Sequence, residues 1–132
     1  MTIDELLALQ ALLQRYARAA DARDVDALAA LFAPEATIAG ARGTQSLDGW
    51  LETMRAPRTF PNSMHVLGTP LIELTDGGDV ATLDTYAVVY QLGDREAGQA
   101  DLTLGIRYVD RVVRRDGRWV IEARTATTLW MR

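Results

Sequence analysis

The 132-residue sequence holds no cysteine, no lysine and a single histidine, His65. Without cysteine there is no thiolate nucleophile, no disulfide and no sulfur-ligated metal. All 14 basic residues are arginine, which excludes Schiff-base chemistry through a lysine. One histidine cannot build a multi-histidine metal site within one chain. The two serines, Ser46 and Ser63, stand in no nucleophile elbow, and no glycine-rich loop of the dinucleotide or P-loop kind occurs. No run approaches the ~18 apolar residues of a membrane span, and the first residues lack a charged-then-apolar signal pattern, so a cytoplasmic address is expected. A net charge of −4 argues against a nucleic-acid partner, which needs a concentrated basic face. Arg111, Arg114, Arg115 and Arg118 are dense, but they surround a turn and are interrupted by Asp116, as solvated hairpin charges are. These exclusions leave acid–base chemistry without metal or cofactor, or plain binding of a small molecule.

What is present is an ordinary globular composition, 48% apolar and 24% charged, of a length that fits one domain over residues 1–132. Thr2 and Glu5 have the form of a capping box, and Leu6, Leu9, Leu13 and Ala20 continue one apolar stripe at helical spacing to about Ala20. Val25 to Phe32 predicts a second short helix capped by Asp24, with Pro34 beyond its end. Ala36 to Ala39 fits a short strand, and Ser46 to Met54 a third helix stopped by Pro57. From Met64 onward the period changes. Met64–Leu74, Val80–Leu92, Leu102–Val113 and Trp119–Leu129 are strand candidates rich in Val, Ile, Thr and Tyr. Asp76-Gly-Gly-Asp79 and Asp116-Gly117 are tight-turn signals between antiparallel neighbours. Helices followed by hairpins predict an α+β fold: a cone-shaped barrel in which N-terminal helices pack on the concave face of a curved, mainly antiparallel sheet. One end of such a cone can stay open as a pocket.

The run from Tyr16 through Asp21 to Asp26, with Leu31-Phe32-Ala-Pro-Glu-Ala36, resembles the opening of SnoaL-like proteins in the nuclear transport factor 2-like superfamily. The run Tyr108-Val-Asp110, followed by Arg115-Asp-Gly-Arg-Trp119 through Arg124, resembles their final hairpin. Within that superfamily the pattern is nearest to scytalone dehydratase, bile-acid dehydratase and hexachlorocyclohexane dehydrochlorinase. The resemblance implies a His–Asp general base, with Asp21 and His65 at the matching positions and Tyr16 at the place of a dehydratase tyrosine. Arg124 matches an arginine on the last strand of the dehydrochlorinase. Ile38-Ala-Gly40 offers no carboxylate where ketosteroid isomerases place theirs. The implied activity is a lyase, dehydratase-like and cofactor-free, acting on a small, mostly apolar, cyclic substrate. A polyketide-cyclase or isomerase reaction through the same enolisation step is the variant. Chains of this kind are dimers or trimers, so a homo-oligomer is expected.

Each residue also has a structural alternative. His65 alone would be a half-buried histidine bonded to backbone; as a base, its near-neutral pKa and a carboxylate on its other nitrogen suit proton abstraction. Asp21 lies ~140° round the helix from Tyr16, so both reach one pocket only if the helix ends or bends near Ala20. Tyr16 is a core tyrosine or a hydrogen-bond donor to a substrate oxygen or leaving group. Strict alternation from Trp119 and Ile121 points Arg124 away from their face, unless a bulge turns it inward. Inward, it would stabilise an anion or leaving group. Asp84 and Tyr86, mid-strand and in phase, are further pocket candidates. Trp50, Met54, Phe60, Met64 and Trp130 are pocket walls or simply core.

Overall fold

The computed structural model describes residues 1–132, apart from the side chain at position 76. Its first helix, α1 (Ile3–Ala22), starts where the Thr2 hydroxyl accepts the Glu5 N–H and the Glu5 carboxylate accepts the Thr2 N–H. Leu9, Leu12, Leu13, Tyr16, Ala17, Ala19 and Ala20 form its buried stripe. The helix runs past the expected end at Ala20 and stops at Arg23, whose backbone is left-handed at φ 53°. Asp24 N–H reaches Ala19 O at 3.0 Å and Arg23 N–H reaches Ala20 O at 3.2 Å. That is a Schellman ending with arginine where glycine is the usual residue.

Asp24 then caps α2 (Val25–Ala30), accepting the Ala27 N–H at 3.1 Å. The second helix is shorter than Val25–Phe32, because Phe32 already opens β1 (Phe32–Gly40). This strand extends well beyond Ala36–Ala39 because it runs parallel to β7 (Arg118–Met131), with a register slip between Phe32 and Thr37 around Pro34. Proline cannot donate to a ladder, so the slip falls where pairing would fail anyway. A strand not foreseen, β2 (Gly43–Ser46), folds back on β1, and Ser46 caps α3 (Leu47–Arg55) by accepting the Gly49 N–H.

The expected strand Met64–Leu74 is broken in two. β3 (Asn62–Leu67) and β4 (Leu71–Thr75) both lie antiparallel along one edge of β5 (Val80–Leu92), separated by Gly68-Thr69-Pro70. At Gly68 the backbone comes so near its neighbour that an added Cβ would sit 3.1 Å from Tyr86 O. β6 (Leu102–Arg115) joins β7 through Asp116 and Gly117, both at positive φ as a type I′ turn requires. The sheet order is β2-β1-β7-β6-β5-β3, with β4 also on β5. The sheet is curved and unclosed, and β1–β7 makes it mixed; every pair among the longer hairpin strands is antiparallel. The helices fill the concave side: Leu9, Leu13, Tyr16 and Leu28 share one core with Leu83, Tyr108, Val112 and Ile121. Among the described residues no helix is long and apolar enough to cross a membrane.

Two bulges in β7 decide which side chains face that core. Val112 pairs with Ile121 and Arg111 with Ala123, leaving Glu122 as an extra residue. Past this bulge the alternation is reversed, so Arg124 pairs with Asp110 and points inward. Ile106 pairs with Thr128 and Gly105 with Trp130, leaving Leu129 extra. That second bulge turns Trp130 to the outer face, where its indole lies over Gly105. Each bulge adds one residue to one strand and so flips every later side chain.

Candidate active site

Asp21, on the last turn of α1, holds the start of β3. Its carboxylate accepts the His65 backbone N–H at 3.0 Å, the Ser63 hydroxyl at 2.9 Å and the His65 ring Nδ1–H at 2.6 Å. Arg58 supports the same corner, donating to Ser63 Oγ at 3.2 Å and to the Asp21 carbonyl at 3.3 Å. Strand β3 alternates Ser63, His65 and Leu67 inward with Met64 and Val66 outward, so strand geometry aims the ring into the cone. No bend in α1 is needed. His65 reaches in from β3, takes Asp21 on its Nδ1 side, and meets the Tyr16 ring edge-on at 6.0 Å between centroids.

Tyr16 is 6% exposed and sits at the centre of an aromatic and cationic cluster. Trp50 stacks near it at 6.4 Å, Tyr108 meets it edge-on at 5.8 Å, and the Arg124 guanidinium lies 3.9 Å over its ring. The same guanidinium is 4.2 Å over Tyr108, so it is held between two phenol faces. Asp110 fixes it in a fork, Nε to Oδ1 at 2.7 Å and Nη2 to Oδ2 at 2.9 Å, with side-chain exposures of 2% and 0%. Nη1 of Arg124 is buried without a partner.

The electrostatics follow from this packing. Burial holds His65 below the ordinary histidine value; Asp21 opposes that, and the charges of Arg124 and Arg23 add to it. Burial would raise Asp21, but the His65 N–H groups and the Ser63 hydroxyl outweigh it and hold the carboxyl below its usual range. The pair is therefore a neutral imidazole beside a carboxylate, with the proton on Nδ1 and a lone pair on Nε2. Burial, then the neighbouring Tyr16, push the Tyr108 hydroxyl well up, so it stays protonated. Burial works against the Arg124 charge, but Asp110 overrides it and its pKa is raised.

Beside this cluster is a cavity of about 430 Å³, walled by Trp50, Met54, Phe60, Ile38 and Leu104, with Arg23 also in its lining. Asp21, His65, Tyr16 and Arg124 do not themselves line it; Trp50 stacks on Tyr16, which in turn meets His65, and His65 keeps 11% of its side chain exposed. A larger groove of about 700 Å³ lies between α1, α2 and Trp119, and it too is lined by none of these four groups.

The structure thus brings together Asp21, His65, Tyr16 and Arg124, with Trp50, Met54 and Phe60 on the cavity wall. Four candidates fall elsewhere. Asp84 and Tyr86 lie on the outer phase of β5, whose inward residues are Leu83, Thr85 and Ala87, and Asp84 is paired with Arg107 there. Met64 is outward on β3, and Trp130 is turned outward by the bulge at Leu129. Asp110, Tyr108, Ser63, Arg58 and Arg23 were not foreseen. Asp110 shares the inward phase of β6 with Tyr108, a mid-strand carboxylate that could have been noticed. Among the described residues no group of three or more His, Cys, Asp or Glu converges in a way that could hold a metal ion.

The family model for the SnoaL-like domain matches residues 1–125. Among solved structures, the chain is similar to a candidate scytalone dehydratase from Novosphingobium aromaticivorans, with 22% identity over 98% of this chain and 87% of that one and a TM-score of 0.88. It is similar to the type 3 hexachlorocyclohexane dehydrochlorinase from Novosphingobium barchaimii, at 19% identity over 96% and 87% and a TM-score of 0.81. A third is a nuclear-transport-factor-2-like protein with a cystatin-like fold, also from Novosphingobium aromaticivorans, at 19% identity over 96% and 83% and a TM-score of 0.82. At these identities the likeness is one of fold. No curated protein matches the sequence.

Proposed function

We propose, on the premise that this chain belongs to the SnoaL-like domain family, that it is a cofactor-independent lyase catalysing dehydratase-like elimination from a small, mostly apolar, cyclic substrate. The observation that carries this is the 2.6 Å contact between His65 Nδ1 and Asp21, with the imidazole held neutral. Asp21 fixes the tautomer, and Nε2 takes a proton from carbon beside a carbonyl or aromatic ring. The C–H pair becomes the new double bond as the C–O bond breaks. The departing oxygen is protonated, from the Tyr16 hydroxyl or from the imidazolium just formed, and leaves as water. Asp21 stabilises that imidazolium. Arg124 holds Tyr16 in place from over its ring, and its charge acts on the nearby imidazole. Isomerisation or cyclisation would use the same proton abstraction, with the proton returned elsewhere or the enolate captured by carbon.

The test uses hydroxylated steroids, aromatic polyketides and terpenoids as substrates, with loss of water read by mass spectrometry. His65→Gln is expected to keep the fold and lower turnover by the ~10²–10⁴-fold of a lost general base. Asp21→Asn should lower it comparably by favouring the other tautomer. Full turnover in His65→Gln refutes the assignment.

One observation favours an assembly role in addition. Met64, Val66, Tyr86, Leu129 and Trp130 are large apolar side chains exposed on the outer side of β3, β5 and β7. Such a patch supports a homo-oligomer formed through the sheet.

A further inference from the structure

The cavity carries an unbalanced charge. Its lining includes two arginines, Arg23 and Arg42, and no aspartate or glutamate. Arg23 forms no ion pair among the described residues; its contacts are with Met54, at 3.4 Å to the carbonyl, long for a hydrogen bond, and 3.5 Å to the sulfur, a weak acceptor. The nearest carboxylate on its own helix, Asp21, is already committed to Ser63 and His65. Burial, and then the charge of neighbouring Arg58, hold Arg23 below the ordinary arginine value. Two guanidiniums therefore stand near one another with no anion placed on Arg23. Arg23 also occupies the left-handed position that ends α1, at φ 53°, where glycine would fit without strain. A residue that strains the backbone, is partly buried and lacks a counter-charge is explained by what its side chain does in the cavity.

We infer that the substrate is an amphipathic carboxylate: a cyclic apolar body lying against Trp50, Met54 and Phe60, with its carboxylate paired to Arg23 in the cavity. This rests on the lyase reading for the chemistry at His65, but the binding claim stands on Arg23 and the wall alone. The carboxylate would fix which end of the molecule enters. The apolar end passes Trp50 toward His65 while the charged end stays at Arg23, and the bidentate fork of a guanidinium suits that contact.

The experiment measures binding of benzoate and 2-naphthoate against the corresponding neutral amides by isothermal titration. Wild type is expected to hold 2-naphthoate ~10-fold or more tighter than 2-naphthamide, as a hydrogen bond to a charged group would give. Added salt should weaken the carboxylate and spare the amide. Arg23→Gln and Arg23→Gly should both shrink the preference to under ~3-fold while leaving amide affinity in place. Arg23→Gly should be as stable as wild type or more so, because glycine adopts the left-handed backbone freely. No carboxylate preference in wild type, no binding of either carboxylate, or an intact preference in both variants overturns the inference. His65→Gln separates it from the lyase reading. The carboxylate preference should survive there although turnover is lost. Elimination from neutral substrates without any carboxylate preference would refute this inference and leave the lyase. A carboxylate preference in a protein that never eliminates would do the reverse.

Discussion

Asp110→Asn keeps the shape of the buried fork and removes its charge. Arg124 and Asp110 are 2% and 0% exposed, so no water can replace the lost carboxylate. Removing one partner of such a pair costs ~3–5 kcal/mol, because the other charge stays buried. Asparagine can still accept one guanidinium bond, recovering ~1 kcal/mol. The faces of Tyr16 and Tyr108, 3.9 and 4.2 Å from the guanidinium, are present in both proteins and soften the loss. The expected net cost is ~2–4 kcal/mol, a large part of the ~5–15 kcal/mol that holds a domain together. Urea unfolding followed by circular dichroism reads it as a lower midpoint with an unchanged slope. The double variant Asp110→Leu/Arg124→Met removes both charges and should lie within ~1–2 kcal/mol of wild type or above it. Two results would refute the reasoning. One is a cost below ~1 kcal/mol for Asp110→Asn; the other is a double variant as unstable as the sum of its parts.

Three further outcomes follow from the same geometry. Deleting Glu122 removes the extra residue and leaves Ile121, Ala123 and Arg124 in regular alternation opposite Val112, Arg111 and Asp110, so Arg124 should stay inward and cooperative folding should survive; Glu122→Ala, which breaks only the exposed pairs with Arg111 and Arg115, should cost ~0–1 kcal/mol. Near-UV circular dichroism reads both variants, and a deletion variant without native tertiary signal would contradict the register argument. The His65 pKa is depressed on folding, so the unfolded chain binds more protons below the ordinary value of about 6.5, and stability should be full above that pH and fall as pH drops. Asp21 is depressed too and adds a slope of the same sign at lower pH. Unfolding free energies from pH 7.5 down to 5.5 should flatten in His65→Gln; a slope of opposite sign would show that the ring gains protons on folding. Gly105→Ala places a methyl against the Trp130 indole, which must move, so tryptophan emission and any assembly through the outer face should change together.

The order and type of the elements could be read from capping residues and the change of period. The failures have local causes. Gly68 and Pro70 marked a break inside Met64–Leu74, but the apolar run on either side concealed it. β1 extends far beyond Ala36–Ala39 because a parallel partner from distant sequence pairs with it, and no local pattern records that partner. The fate of Arg124 and Trp130 turned on bulges at Glu122 and Leu129. Strict alternation from Trp119 places both outward; the first inserted residue turns Arg124 inward, and the second returns Trp130 to the outer face. Asp21 looked badly placed because helical angle was considered without the strand that meets it. His65 supplies the missing reach from β3. Asp110 went unnoticed because a carboxylate in a strand is ordinarily solvated, and only the inward turn of Arg124 makes its burial tolerable.

The parallel pairing of β1 with β7 has a consequence during synthesis. Phe32 meets Ile121, and Thr37 meets Ala123, across most of the sequence. As a ribosome extends the chain, α1, α2 and the β1–β2 hairpin emerge with one strand edge unsatisfied. β7 must be made before that edge is covered, and at ~5–20 residues per second this leaves several seconds of exposure. Pairing across so long a separation is also the slowest step to nucleate. Nascent chains stalled before β7 are therefore expected to be protease-sensitive throughout and to be held by chaperones until release, however stable the finished cone is.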